Sequence, residues 1–331
     1  MTTTHTESRD RGAGSTAHEI LTLRVLERHN QSDGVIALTL AHPDGRPLPE
    51  WTPGAHIDVH VGQDAVRQYS LCSDPADNTR WRVGVLNVAD GRGGSRLLHE
   101  TVHAGSTIQI GTPRNNFGLA PSPRYRFVAG GIGITPILPM LRQATRDGAD
   151  WTLVYGGRSR SSMAFLDELA PYGARVQFVP EDIDGRVDFA SYFAEVQADT
   201  LVYACGPEPL LRVVEGATEH WPEGSLHLER FAPKVVEHHA DAAFEVTFEL
   251  SGVTATVPAG KSILEIAEIN GISIDSSCRE GTCGTCETYL LEGDVDHRDS
   301  ILTSAERADS ESMFICVSRA KRDCPRLVLE L

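Results

Sequence analysis

Cys278-Arg279-Glu280-Gly281-Thr282-Cys283-Gly284-Thr285-Cys286 is the stretch that decides how this sequence is read. Its cysteines are spaced C-x4-C-x2-C, and a fourth, Cys316, follows after 29 intervening residues. That is the plant-type [2Fe–2S] spacing. Two irons need four thiolates, two each, on a loop that wraps the group and turns backbone N–H groups toward its sulfurs. Gly281, Thr282, Gly284 and Thr285 are small enough for that wrap, and glycine reaches backbone angles that other residues avoid. Two other readings stay open. Zinc sites usually use two close cysteine pairs, whereas here one gap is four residues and the last cysteine stands alone. Incidental buried thiols are the other; Cys72 and Cys324 read that way, as small hydrophobes. A secreted disulfide framework is disfavoured, because seven cysteines is an odd number and three of them crowd into nine residues. A reducing, cytoplasmic compartment is expected.

Around that loop the chain divides into segments. FEVTFELSGVTATVPAG reads as a hairpin, SILEIAEING as a short helix, and FICVSRA and RLVLEL as strands, which makes residues 244–331 a small α+β unit. A polar, small-residue linker covers residues 233–243. In residues 121–232, strand-like runs (RYRFVAGG, WTLVYGGRS, RVQFVPED, TLVYACGP) alternate with helical ones (ITPILPMLRQATRDG, MAFLDELAPYG, PEPLLRVVEGATEH), the pattern of a parallel α/β sheet. Residues 19–120 hold short alternating runs separated by turn residues, among them LTLRVLERHN, GVIALTLAHP, HIDVHVG and WRVGVLNV, which suits an antiparallel β-barrel. Residues 1–18 lack an apolar core and read as a disordered tail rather than a signal peptide. A multidomain protein is what 331 residues lead one to expect.

The formal net charge of −16 argues against nucleic acid and anionic membranes as partners. No run of eighteen apolar residues offers a membrane span. Residues 244–331 carry 16 acidic against 8 basic side chains, which suits a partner with a basic patch.

Two glycine loops point to a nucleotide. The strand Arg126-Phe127-Val128-Ala129 runs into Gly130-Gly131-Ile132-Gly133-Ile134-Thr135-Pro136, with a helix expected from Ile137, Thr135 as its cap and Pro136 at its first position. Backbone N–H groups at such a helix start can approach a pyrophosphate. Pro136 stands where a full G-x-G-x-x-G would have its third glycine, so a tight structural turn is the competing reading. Cys205-Gly206-Pro207 ends a later strand, where α/β sheets hold ligands, and two such loops together favour the nucleotide. After WTLVY, the side chains of Arg158, Ser159 and Arg160 could accept a ribose 2′-phosphate, which leaves NADPH open as donor. In the N-terminal unit, Arg67-Gln68-Tyr69-Ser70 ends a strand and Gly91-Arg92-Gly93-Gly94-Ser95 opens a helical segment. Arginine and a glycine-serine helix start both bind phosphate; tyrosine offers a stacking face and serine a hydroxyl for a ring atom. Singly, each also fits an ordinary barrel strand or turn.

Taken in order, R-x-Y-S, G-R-G-G-S, G-G-I-G-I-T-P, C-G-P and C-x4-C-x2-C…C make the chain resemble the phthalate dioxygenase reductase family, with vanillate demethylase reductases in the same group, over residues 19–331. The resemblance implies FMN held by Arg67, Tyr69 and Ser70, with Gly93, Gly94 and Ser95 at its phosphate. It implies NADH along Gly130, Gly131, Gly133, Thr135, Pro136, Gly206 and Pro207, with Cys205 near the nicotinamide and flavin N5. Cys278, Cys283, Cys286 and Cys316 become the ligands of a β-grasp, plant-type ferredoxin domain. Phe231 would cover the flavin, a role that competes with a plain core phenylalanine, and residues 113–117 resemble the segment leading out of the flavin domain. Ser70 and Cys205 are the expected catalytic positions. The reaction implied is hydride transfer from NAD(P)H to FMN, then single electrons through the cluster to a terminal oxygenase, Rieske non-haem iron or cytochrome P450. The alternative is a stand-alone diaphorase or redox sensor. A monomer is expected, and His56 and His60 read as strand surface or satisfied core residues.

Overall fold

Alternation in the N-terminal third sends every second apolar side chain inward. In the computed structural model, which describes residues 19–62, 65–89, 91–234 and 240–331, these runs become β1 (Ile20–Ser32), β2 (Val35–Ala41), β3 (His56–Val61), β4 (Ala65–Ser70), β5 (Trp81–Leu86) and β6 (Thr107–Gly111). They pair antiparallel in the order β4-β3-β6-β1-β2-β5. Just past β4, Leu71 bridges Val83 of β5 and closes the sheet into a barrel, which removes the open edges that strands would otherwise expose. Leu23, Leu38, Ile57, Trp81, Val83 and Ile110 fill its interior.

The second sheet is parallel: β7 (Arg124–Gly130), β8 (Asp150–Gly157), β9 (Val176–Pro180), β10 (Thr200–Cys205) and β11 (Leu226–Glu229), in the order β11-β10-β7-β8-β9. The chain builds outward from β7 in one direction, then returns to add β10 and β11 on its other side. The carboxyl ends of β7 and β10 therefore flank the switch point where open α/β sheets bind ligands. Helix Ile134–Arg146 buries Ile137 and Leu141 against Phe127 and Trp151 on one face, and helix Glu208–Thr218 buries Leu211 and Val214 against Val128 and Val202 on the other. The first of these helices begins at Ile134, after a 3-10 turn over Gly131–Gly133, and not at Ile137. Thr135 is therefore not its cap: Thr135 Oγ1 donates to Ile132 O at 2.9 Å. The run MAFLDELAPYG also gives less helix than its pattern suggests. Only Leu166–Leu169 is α-helical, because Pro171 has no N–H to continue the ladder and Gly173 turns to a φ of 57°.

The third sheet contains β12 (Phe244–Phe248), β13 (Val253–Val257), β14 (Glu287–Glu292), β16 (Ser312–Phe314) and β18 (Arg326–Leu329), ordered β13-β12-β18-β14-β16, while β15 (Val295–Asp296) pairs with β17 (Arg319–Ala320). β12 and β18 are parallel and the remaining pairs antiparallel. Helix Ile263–Ile269 packs into this sheet's core, giving a β-grasp arrangement. Its start is fixed by a reciprocal cap: Glu265 N donates to Ser262 Oγ at 3.1 Å and Ser262 N to Glu265 Oε2 at 2.8 Å. FICVSRA is not one strand but two short ones with a turn between, and that turn carries Cys316. The expected tail over residues 1–18, and residues 235–239 of the expected linker 233–243, lie outside the described residues. Among the described residues no helix is long and apolar enough to cross a membrane.

Candidate functional site

β4 presents Arg67 toward the start of helix Gly94–Thr101. A Cβ at Gly94 would come within 2.8 Å of Arg67 Nε, so only glycine lets the guanidinium lie against the helix N-terminus. Gly93, at a φ of 80°, makes the turn into that helix. Ser95 Oγ accepts from Val88 N at 3.1 Å, which leaves its O–H to donate. Arg67, Gly93, Gly94 and Ser95 thus share one spot with the chemistry of a phosphate cradle. Three residues along β4 from Arg67, Ser70 is buried and its Oγ has no partner. An unpartnered buried hydroxyl costs about 1–3 kcal/mol, and a flavin ring atom beside it would remove that cost. Burial pushes the Tyr69 phenol up to about 12, so it stays a neutral stacking face. Phe231 is 46% exposed and belongs to no core, which disposes of the plain core reading. Its neighbour Arg230 is clamped by Glu208 at 2.9 Å and Glu215 at 2.7 Å.

At the sheet's switch point the two glycine loops touch backbone to backbone. A Cβ on Gly133 would stand 2.2 Å from Cys205 O, and one on Gly130 would stand 2.8 Å from Pro207 Cδ. Gly131 has a φ of 53°, Thr135 is buried, and Pro136 lies inside the first helical turn. Cys205 is fully buried, and its Sγ contacts Glu229 Oε2 at 3.7 Å, the residue it faces across β10 and β11. Burial holds the thiol well above its usual range, and desolvation pushes the Glu229 carboxyl up to about 8. The pair is therefore mostly neutral at neutral pH, at the carboxyl ends of β10 and β11. At the end of β8, Ser159 caps a 3-10 turn, Arg158 is exposed, and Arg160 lies over the Phe178 ring at 5.6 Å.

The four expected ligand cysteines converge. Cys278 contacts Cys283 and Cys316, and Cys286 contacts Cys316. Hydrogen bonding among the thiols lowers Cys278 and Cys286 and raises Cys283 and Cys316. Four thiolates this close repel one another, and only a bound cation would let all four ionise together. Cys278 N points at Cys283 Sγ (3.4 Å), and Glu280 N and Thr282 N point at Cys278 Sγ (3.3 and 3.4 Å), the N–H pattern that suits a cluster. Cys316 also lines a pocket of about 420 Å³ with Lys261, Arg279 and Arg319.

Sequence reasoning missed two participants. His56 is a core residue and only half satisfied: it is buried, its ring has a backbone hydrogen bond at Cys283, its Nε2 has no partner among the described residues, and burial lowers it to about 4. Glu229 is the other: it is partly buried beside Cys205, and nothing in the sequence around it signals a desolvated carboxyl.

Residues 246–321 match the 2Fe-2S iron-sulfur cluster binding domain, and residues 127–216 match the oxidoreductase NAD-binding domain. The chain is 41% identical over 316 residues to the phthalate 4,5-dioxygenase oxygenase reductase subunit of Pseudomonas putida, covering 93% of this chain and 96% of that relative. Its fold superposes on an intact type IV self-sufficient cytochrome P450 monooxygenase with a TM-score of 0.88 at 44% identity, over 94% of this chain and 41% of that one. It also superposes on phthalate dioxygenase reductase, described as a modular structure for electron transfer from pyridine nucleotides to [2Fe–2S], with a TM-score of 0.69 at 35% identity, over 94% of this chain and 98% of that one.

Proposed function

This chain belongs to the phthalate dioxygenase reductase family, and we propose on that premise that it draws hydride from NADH and delivers single electrons to a terminal oxygenase. The observation that carries the reading is the unpartnered, buried Ser70 hydroxyl on a strand whose neighbouring side chain, Gln68, bonds the cysteine loop. Bound there, FMN supplies a centre that takes electrons in pairs and a plant-type cluster, near about −400 mV, one that takes them singly.

The chain's own residues bind and orient. Arg67, Gly93, Gly94 and Ser95 would hold the flavin phosphate, Ser70 would bond a ring atom, and Tyr69 and Phe231 would offer aromatic surface to the ring. Backbone N–H groups of Gly130, Gly131, Gly133 and Gly206 hold the pyrophosphate, with Thr135, Pro136 and Pro207 shaping the two loops. Cys205, kept neutral by burial, excludes water beside the nicotinamide. Arg158, Ser159 and Arg160 form the ribose end and set how far NADPH can replace NADH. Cys278, Cys283, Cys286 and Cys316 hold the irons. Residues 19–120, 121–232 and 244–331 are proposed as the three domains, joined to the last by the 233–243 linker, in a cytoplasmic monomer. A Rieske non-haem iron oxygenase is the first acceptor to try, and a cytochrome P450 the second.

Cys283→Ser in the full chain tests the scheme. NADH oxidation by ferricyanide, which accepts electrons from the flavin directly, should stay within about twofold, while cytochrome c reduction should fall about tenfold or more. An undiminished cytochrome c rate would place the exit at the flavin and sink the reading. Full turnover that no oxygenase accelerates would point to the stand-alone diaphorase.

A further inference from the structure

We infer that Gln68 and Asn116 are positioning residues that lock the cysteine loop onto the flavin strand and thereby set the rate of the single-electron step; the inference rests on the function proposed above. Side chains alternate along β4, so Arg67 and Tyr69 face one side and Gln68, with Ser70, the other. Gln68 Nε2 lies 2.6 Å from Ser277 Oγ and 2.7 Å from Asp58 Oδ1. Ser277 immediately precedes the ligand Cys278. Asp58 stands directly opposite Gln68 across β3 and β4, and its carboxylate takes both arms of Arg114, at 2.9 and 2.8 Å. Arg114 is tied to the same wall: it exchanges two backbone hydrogen bonds with His56, at 2.8 and 3.0 Å.

Two residues beyond Arg114, Asn116 Nδ2 donates to Cys283 O at 3.0 Å. A Cβ on Gly284 would fall 2.6 Å from that same nitrogen, so the loop can approach this closely only with glycine there. The barrel wall therefore grips the loop at two points, beside Cys278 and at Cys283. A third contact, Arg92 to Glu280 at 3.0 Å, is half exposed on both sides and adds little.

Each crossing oxidises the flavin side by one electron and reduces the cluster side by one, at a rate set by the potentials of the two centres, the reorganisation around them and the gap between them. The Gln68 and Asn116 bonds act on that gap, beside the Asp58–Ser277 and His56–Cys283 contacts at the same two points.

The test uses Gln68→Met and Asn116→Leu, singly and together, in the full chain carrying flavin and cluster. Each protein is mixed rapidly with NADH while flavin and cluster absorbance are followed separately. Iron content, the electron paramagnetic resonance spectrum of the reduced cluster and amide exchange over residues 277–284 are measured on the same samples. Flavin reduction should stay within about twofold of the parent, and cluster reduction in the double variant should slow about tenfold or more, because electron tunnelling falls off steeply as the gap between the centres widens. Exchange over 277–284 should rise while iron content and spectrum stay as in the parent. Cluster reduction at the parent rate would overturn the inference, and so would loss of the cluster itself, which would make these residues structural supports. If NADH fails to reduce the cluster even in the parent, the proposed function falls and takes this inference with it; a fast double variant removes this inference alone.

Discussion

Replacing Glu229 by Gln should remove most of the pH dependence of stability that the nucleotide-binding sheet shows between pH 4.5 and 8. Desolvation raises this carboxyl from the ordinary 4.5 to about 8 in the folded chain. Between those two values the folded chain binds a proton that the unfolded chain has released, so stability is fully present below pH 4.5 and is lost as pH rises through 8. Each pH unit is worth about 1.4 kcal/mol at most, and because Glu229 is only partly buried, solvent screening brings the total to about 2–3 kcal/mol. The Gln side chain keeps the shape and has nothing to ionise. Thermal unfolding of the parent and Glu229→Gln, run in parallel from pH 5 to pH 9, should give melting curves that diverge steadily up to pH 8 and run parallel above it. With about 2–8 °C per kcal/mol for domains of this size, the divergence is easily resolved. The parent is the one that falls. A gap that stays constant from pH 5 to pH 8 would mean that the carboxyl titrates in its ordinary range, and the desolvated Cys205–Glu229 pair would have to be abandoned.

Arg158→Ala combined with Arg160→Ala should lower kcat/KM for NADPH by about tenfold more than for NADH, because a charge-assisted bond to the 2′-phosphate is worth about 1.5–3 kcal/mol and NADH cannot make it; equal losses would move the 2′-site elsewhere. Gly284→Ala should cut iron bound per chain while leaving flavin content unchanged, since the residue sits at a φ of 81° and its Cβ would strike Asn116; full iron occupancy would show that the loop yields at little cost.

How legible each feature was in the sequence depended on how far it reaches along the chain. The cysteine spacing and the Gly130 loop are local, and so were readable: ligands within nine residues, or a strand running straight into a helix, declare themselves in one window. The start of helix Ile134–Arg146 was misplaced because threonine followed by proline imitates a cap, while the structure enters the helix through a 3-10 turn three residues earlier. FICVSRA has the apolar run of a single strand, yet Cys316 has to turn toward the other thiols, and the strand breaks to let it. Glu229 and His56 were out of reach for a different reason. Glu229 is desolvated only because β11 joins β10 in a register that sets it opposite Cys205. His56 is buried where the barrel wall meets a loop more than 200 residues further on, and alternation within one strand carries no information about what a distant unit lays against it.

The Asp58–Arg114 pair shows what such long-range packing accomplishes. A buried ion pair is a poor device for stability alone, because desolvating both charges consumes most of what their attraction returns, and an apolar pair would hold a barrel wall as well. What an apolar pair cannot do is orient an amide. Burial alone would raise the Asp58 carboxyl, but the bonds and charge of Arg114, with Gln68 and Ser277, hold it below the usual carboxylate range. It is therefore an acceptor at every pH the protein meets, and an acceptor opposite Gln68 forces that side chain to present its nitrogen, not its oxygen. The same nitrogen lies at Ser277. With both charges mostly buried, at 14% and 10% side-chain exposure, salt screens this arrangement far less than the exposed Arg92–Glu280 pair beside it. The grip on the cysteine loop is thus fixed in geometry by a costly buried charge pair and closed by a few ordinary hydrogen bonds, those of Gln68 and Asn116 among them, each worth about 1 kcal/mol net.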